Sequence, residues 1–245
     1  MAMTESTLHA DSTIQSGDLS PDELKYRLLM DNFATPEECR DMIALANKHG
    51  TTGGGFGVKA SPANSPYEDY TGYGIHRTYT DAEYLKDHEV TLRVISRARD
   101  LLKQHFRVPF LWLDHAEIML REPAVTGPEA EAEEFSMQLH FDNNGPTIWR
   151  RTHTGVLFLN DEFEGGRTAV TGKDANFGPY REIQPSTGRL VGFKVAETPH
   201  GVTKLHSGKR YIIAMWFSSH WNNVGRQIKV FHPSIANVIY KLLGK

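Results

Sequence analysis

His140 and Asp142 flank Phe141 at the end of a short apolar stretch. In an extended chain residues i and i+2 face the same side, so this imidazole and carboxylate can converge on one ion. In a chain with 12 histidines a lone His-x-Asp means little. It gains weight from His200, set in Thr-Pro-His-Gly-Val at 200 − 142 = 58 residues beyond the carboxylate. Two imidazoles and one carboxylate make a facial donor set suited to non-haem Fe(II), with the remaining coordination positions open. Ten residues on (210 − 200), Arg210 opens the run Arg-Tyr-Ile-Ile-Ala-Met-Trp-Phe. A guanidinium on such a strand can hold a dicarboxylic co-substrate through paired hydrogen bonds. Lys209 is the rival anchor, but only alternate residues of a strand face inward, and Arg210 is preferred.

The elements that must position these groups are short strands after Pro109. Leu111–Arg121, Phe135–Phe141, Thr154–Asn160, Arg167–Thr171, Arg189–Lys194 and Arg210–Ser218 are apolar or alternating, with turn residues such as Gly165-Gly166 and Ser207-Gly208 between them. Such a succession points to a sandwich, barrel or jelly roll. Ahead of it, Thr35-Pro-Glu-Glu38 supplies a capping box for a helix with Cys39, Met42, Ile43 and Ala46 on one stripe and Gly50 at its end. Cys39 on that stripe reads as a core thiol. A second helix is expected near 88–106, with Leu92, Ile95, Ala98, Leu102 and Phe106 on its apolar face. Between the helices, residues 51–76 hold glycine and proline without period and read as a long binding loop. Their Gly-Gly-Gly-Phe-Gly-Val-Lys stretch meets neither the phosphate-loop nor the dinucleotide pattern.

Net charge is −3 and no polybasic patch is present, so neither nucleic acid nor a membrane surface is an expected partner. The longest apolar run, Tyr211–Phe217, is seven residues, against about 18 for a spanning helix. The N-terminus lacks an apolar signal region and Cys39 is the one cysteine, which together favour a reducing, cytoplasmic setting. Residues 1–22 are expected to be a disordered tail and 23–245 a single domain. Its expected parts are helical support at about 23–108, a β core at about 109–220 and a C-terminal helix at about 232–244.

Taken together, these residues resemble the Fe(II)- and 2-oxoglutarate-dependent dioxygenases of the prolyl hydroxylase type, over about Leu28 to Ser219. Asp31-Asn-Phe33 with Pro36-Glu-Glu-Cys39 is similar to the opening of that catalytic domain, and Val156 through Gly166 to its central strand and turn. Gly188-Arg-Leu190, Pro199-His-Gly-Val202 and Gly208-Lys-Arg-Tyr211 are similar to its end. His140-Phe-Asp142-Asn143 and the segment 198–202 look closest to the prolyl 3-hydroxylase (leprecan) branch. The resemblance implies an α+β double-stranded β-helix, a jelly-roll and cupin relative, with N-terminal helices buttressing the larger sheet. It implies Fe(II) on His140, Asp142 and His200, with 2-oxoglutarate and O2 as co-substrates and ascorbate as an accessory reductant. The far carboxylate of 2-oxoglutarate would meet Arg210, and Thr154 is a further cofactor contact. Because Asp142 is a carboxylate rather than Gly or Ala, no position is vacated for a halide, so hydroxylation is expected over halogenation. Where many 4-hydroxylases carry a tyrosine, this strand reads Ile118-Met-Leu-Arg121. The absence of a secretion signal, a cysteine-rich region and a retention signal argues against collagen as substrate.

The expected reaction is hydroxylation of an unactivated C–H, on a small molecule or on a prolyl or other residue of a peptide. The rival from another class is a non-catalytic jelly-roll binding module that retains the ligand residues. Arg121, Asn143, Arg151 and His153 are candidate substrate contacts, although Asn143 also suits a turn. His206 and His220 are expected at surface or structural positions, and Trp216 and Phe217 in core packing. Trp149 and Trp221 have no clear assignment. The C-terminal stretch reads as a helix docked on its own domain rather than as a homodimer contact.

Overall fold

Thr35 begins the first helix as its sequence requires. The Thr35 Oγ1 accepts from the Glu38 N–H at 3.1 Å while Glu38 Oε2 accepts from the Thr35 N–H at 3.1 Å, closing the capping box at the head of α1 (Pro36–Gly50). Arg97 completes the corner, donating to both Glu38 oxygens at 2.7 and 2.9 Å. It extends from α3 (Glu89–His105), which follows a short α2 (Ala82–Asp87) that the sequence does not announce. A computed structural model describes residues 10–15, 17–50, 68–75, 82–123, 128, 132, 134–146, 148–172 and 179–220. No helix among them is long and apolar enough to cross a membrane. The expected loop segment 51–67, Trp221 and the C-terminal helix at 232–244 lie outside the described residues.

Strands, numbered along the chain, form two sheets. The larger runs β2 (Arg27–Met30), β10 (Leu190–Lys194), β6 (His153–Phe158), β13 (Arg210–Ser218), β4 (Trp112–Pro123), β3 (Glu68–Gly74), antiparallel throughout. The smaller runs β1 (Ala10–Ile14), β9 (Tyr180–Ile183), β8 (Thr168–Val170), β11 (His200–Thr203), β5 (Phe135–His140). A separate pair joins β7 (Phe163–Gly165) to β12 (Leu205–Gly208). The fold is the double-stranded β-helix expected from the sequence.

Both faces of the larger sheet are covered, which is why nearly every residue of β6 and β13 is buried. Leu157, Ile213, Met215 and Phe217 point outward onto Met42, Val94, Ile95, Ala98 and Leu102 of α1 and α3. Val156, Phe158, Ile212 and Ala214 point the other way, into a second cluster between the sheets with Val170, Val191 and Phe193. Full burial of each such side chain contributes roughly 1.5–3 kcal/mol. The alternation decides which residues can reach the space between the sheets.

Two expectations need correction. Residues 1–22 are not wholly a tail, because Ala10–Ile14 pairs in parallel with β9 and Ile14 is fully buried. The loop expected over 51–76 contains β3, whose Tyr-Thr-Gly-Tyr stretch pairs with β4. Short polar alternation with one buried edge leaves a weak sequence signal, which the turn-forming glycines mask. On α3 the buried stripe is Thr91, Val94, Ile95, Ala98 and Leu102, with Leu92 only half-buried.

Candidate metal centre and its cavity

His140 ends β5 and His200 begins β11, and the antiparallel register sets the two directly opposite each other. Their ring centroids lie 4.5 Å apart. Asp142 follows in the turn after β5, so that its Oδ1 is 3.5 Å from His140 Nε2 and its Oδ2 is 3.5 Å from His200 Nε2. The three potential donor atoms lie within 4.8 Å of one another. Each Nδ1 faces the backbone carbonyl two residues upstream, Gln138 at 2.9 Å and Thr198 at 3.3 Å. A carbonyl can only accept, so Nδ1 carries the proton and the Nε2 lone pair is left for a metal.

The electrostatics agree with a metal site. Burial pushes the His200 imidazole down to about 4, which keeps it neutral at physiological pH. Burial by itself disfavours the Asp142 charge, but attraction to the facing His200 and His140 rings whenever these carry a second proton, together with the hydroxyl of Thr154, outweighs it and holds the carboxyl below its ordinary value. Thr154 Oγ1 donates to Asp142 Oδ2 at 2.6 Å, a charge-assisted bond reaching from the larger sheet to a ligand at the edge of the smaller one.

These groups open into a cavity of about 370 Å³ between the sheets, shared with Arg121, Arg151, Arg210 and Trp216. Arg210 is 1% exposed. Its Nε donates to the Gly166 carbonyl at 2.6 Å and its Nη2 to Thr168 Oγ1 at 3.4 Å, while the guanidinium lies 5.6 Å from the Phe158 ring. Gly166 has φ +58°, and a Cβ there would come within 3.0 Å of Arg210 Cδ, so the glycine serves both turn and anchor. Among the described residues no carboxylate pairs with Arg210. Burial, and then the neighbouring Arg121, push it down to about 9. A buried cation without a counter-charge is costly, and an anionic ligand in the cavity would relieve that cost.

Of the remaining candidates, Lys209 points away and pairs with Glu122 at 2.9 Å, as strand alternation demands. Arg121 lies opposite Arg210 in the β4–β13 register and faces buried Glu68 at 3.5 Å. Glu68 is itself held by the Ser136 hydroxyl and, at 2.9 Å, by the Leu205 N–H. Arg151 bonds Asp114 at 3.1 Å and lies 4.4 Å over the Trp216 ring. His153 does not reach the cavity. It occupies the opposite face of β6 from Thr154, against Phe106 at 5.2 Å, where burial and then Lys194 push it down to about 4. Asn143 does not line the cavity either, and its carbonyl accepts from Gly145 N in a tight turn. Trp216 packs against the core between the sheets as expected and also lines the cavity, as do Tyr70 and Glu117, which the sequence does not mark. The missed signal was parity, since Trp216 shares a face with Arg210, and Glu117 with Arg121.

Residues 130–218 match the sequence model of the 2OG-Fe(II) oxygenase superfamily. Prolyl 3-hydroxylase 1 of Rattus norvegicus is 28% identical over 210 residues, covering 78% of this chain and 28% of that protein. The chain thus spans under a third of the length of this relative. Among solved structures, a Pseudomonas putida prolyl-4-hydroxylase aligns with TM-score 0.55 at 18% identity, covering 80% of this chain and 95% of the other. A prolyl hydroxylase from Trichoplax adhaerens in complex with a hypoxia inducible factor oxygen degradation domain peptide fragment aligns with TM-score 0.54 at 15% identity, covering 82% and 86%. The resemblance read from the motifs is therefore present in overall sequence as well as in fold.

Proposed function

We propose that this chain, similar to 2OG-Fe(II) oxygenases in sequence and fold, is an Fe(II)- and 2-oxoglutarate-dependent dioxygenase that hydroxylates an unactivated C–H bond. The observation that carries the reading is one cavity holding both a two-histidine, one-carboxylate cluster and a buried arginine that pairs with no carboxylate among the described residues. The donor set fits Fe(II), with two imidazoles turned Nε2-first by their own backbone and a carboxylate kept ionised. When bound, iron with 2-oxoglutarate supplies the oxidising chemistry, splitting O2 between succinate and the hydroxylated product.

The protein's part is placement. His140, Asp142 and His200 would hold the metal on one side only, leaving the cavity side for ligands. Thr154 fixes the Asp142 carboxylate, so its rotation does not have to be frozen at each turnover. Arg210, itself locked by Gly166 and Thr168, would take the far carboxylate of 2-oxoglutarate. Met119, Val156, Ile212 and Ala214 line the cavity with apolar surface that limits water around the reacting centre. Both a small molecule and a prolyl or other residue of a peptide are candidate substrates. The prolyl 3-hydroxylase relative and the peptide-bound Trichoplax structure support the second.

Succinate formation in the presence of Fe(II), 2-oxoglutarate and O2 tests the reading. The wild-type chain is expected to turn over, His140→Ala to lose turnover, and Arg210→Ala to need roughly 10–100-fold more 2-oxoglutarate through loss of a charge-assisted anchor. Absence of succinate from wild type would favour a binding module over an enzyme.

A further inference from the structure

One charged group in the cavity has no assignment in the chemistry above. Asp142 belongs to the metal, Arg210 to the co-substrate, Arg121 faces Glu68, and Arg151 faces Asp114. Glu117 remains. It lines the cavity from β4, and its side chain is 14% exposed. The Tyr70 hydroxyl donates to its Oε1 at 3.0 Å, and His115 Nε2 stands 3.7 Å from its Oε2, too far for a hydrogen bond. No lysine or arginine among the described residues pairs with it.

The strand beside it is shaped for this carboxylate. A Cβ on Gly72 would fall 1.7 Å from Glu117 Oε1, so any other residue there would evict the side chain. Register places Glu117 opposite Ala214, one inward-facing step from the row in which Trp216 meets His115 and Thr154. Thr154 holds Asp142, so the carboxylate and the metal cluster share one end of the sheet face. Tyr70 and Trp216 line the same region, but their rings already carry the Arg121 and Arg151 guanidiniums, at 5.2 and 4.4 Å. Trp216 also stacks with His115 at 5.4 Å, so the carboxylate is the feature left for a ligand. A partly buried carboxylate with spare lone pairs and no lysine or arginine partner among the described residues favours a cationic ligand.

We infer that Glu117 sets substrate specificity, and that the cavity takes a substrate bearing a protonated amine whose charge meets this carboxylate. This rests on the dioxygenase reading and narrows it. A prolyl nitrogen inside a peptide bond is a neutral amide and would leave Glu117 unanswered. A free amine, as in an amino acid or an amine-bearing natural product, would satisfy it.

The test is calorimetric titration of the full chain, saturated with Mn(II) and 2-oxoglutarate, with amides of the common amino acids. Each is offered as the free α-amine and as its N-acetylated, neutral counterpart. At least one free amine is expected to bind tenfold or more tightly than its acetylated form. Glu117→Gln should abolish that preference while changing the affinity of the neutral form less than twofold, with the thermal unfolding midpoint checking that the variant folds. Where it does not fold, the wild-type pairs decide alone. If no pair favours the amine, or the preference survives Glu117→Gln, the inference is overturned. Prior titration of 2-oxoglutarate into the Mn(II)-loaded chain separates the two claims. Failure there counts against the dioxygenase reading, whereas 2-oxoglutarate binding without an amine preference counts against Glu117 alone.

Discussion

The five-stranded sheet contributes the imidazoles, from the facing ends of β5 and β11, whereas the six-stranded sheet contributes most of the other polar groups that line the cavity, from alternate residues of β4, β6 and β13. Their support differs as much as their roles. The six-stranded sheet is backed by α1 and α3 over a large buried cluster. On the five-stranded sheet a small cluster of Phe135, Ala169 and Tyr180, with Leu139 against it, is distinct from the core between the sheets. The cavity's Arg121, Arg210 and Glu117 thus sit on a scaffold fixed by bulk packing. The candidate metal donors depend on local devices instead: cross-strand pairing, ring-to-backbone hydrogen bonds and the Thr154 bond from the other sheet.

Truncation on each side should break this contrast open. Leu102→Ala, beneath the six-stranded sheet, is expected to lose about 2–5 kcal/mol in urea unfolding. Leu139→Ala, half-buried on the smaller sheet, should lose only about 1 kcal/mol. Similar losses at the two positions would mean that the sheets are supported alike. A titration sharpens the same point on β6. Folded His153 stays neutral down to about 4, while an unfolded histidine protonates near 6.5. Between those values the unfolded chain binds the extra proton. This contribution to stability is therefore complete above pH 6.5 and falls away as pH drops towards 4, by on the order of 3 kcal/mol. His153→Phe should flatten that part of the stability–pH curve, and an unchanged curve would show that the ring is not buried against Phe106. The smallest effect expected is at the link between the sheets. Thr154→Val should weaken metal binding roughly tenfold, the usual scale for a group orienting a ligand, with little change in unfolding free energy.

How much of this was readable from the chain follows the same division. The candidate metal cluster is visible in sequence because two of its residues share a strand parity and the third sits in a distinctive Pro-His-Gly-Val segment. Arg210 stands out because a cation opening a buried strand is rare enough to require a reason, and the structure places it buried on the cavity wall. The capping box at Thr35 and Glu38 gave α1 its start to the residue. Parity also explains the errors. His153 and Thr154 are neighbours in sequence but face opposite sides of β6, so one packs on a helix and the other holds Asp142. Trp216 packs against the core as expected, and its further place on the cavity wall goes unmarked because apolar strands covered on both faces carry no polar alternation to show the cavity side. Glu68, Tyr70 and Gly72 were hidden in a glycine-rich stretch, since an edge strand takes its order from its neighbour β4 rather than from its own sequence.

Metal binding to the three-residue cluster is the claim beneath all the others, and anaerobic Fe(II) titration of wild type, His140→Ala and His200→Ala measures it directly. One tightly bound ion per wild-type chain, lost in both variants that keep their fold, is the predicted result. Wild-type stoichiometry and affinity retained in either folded variant would contradict it.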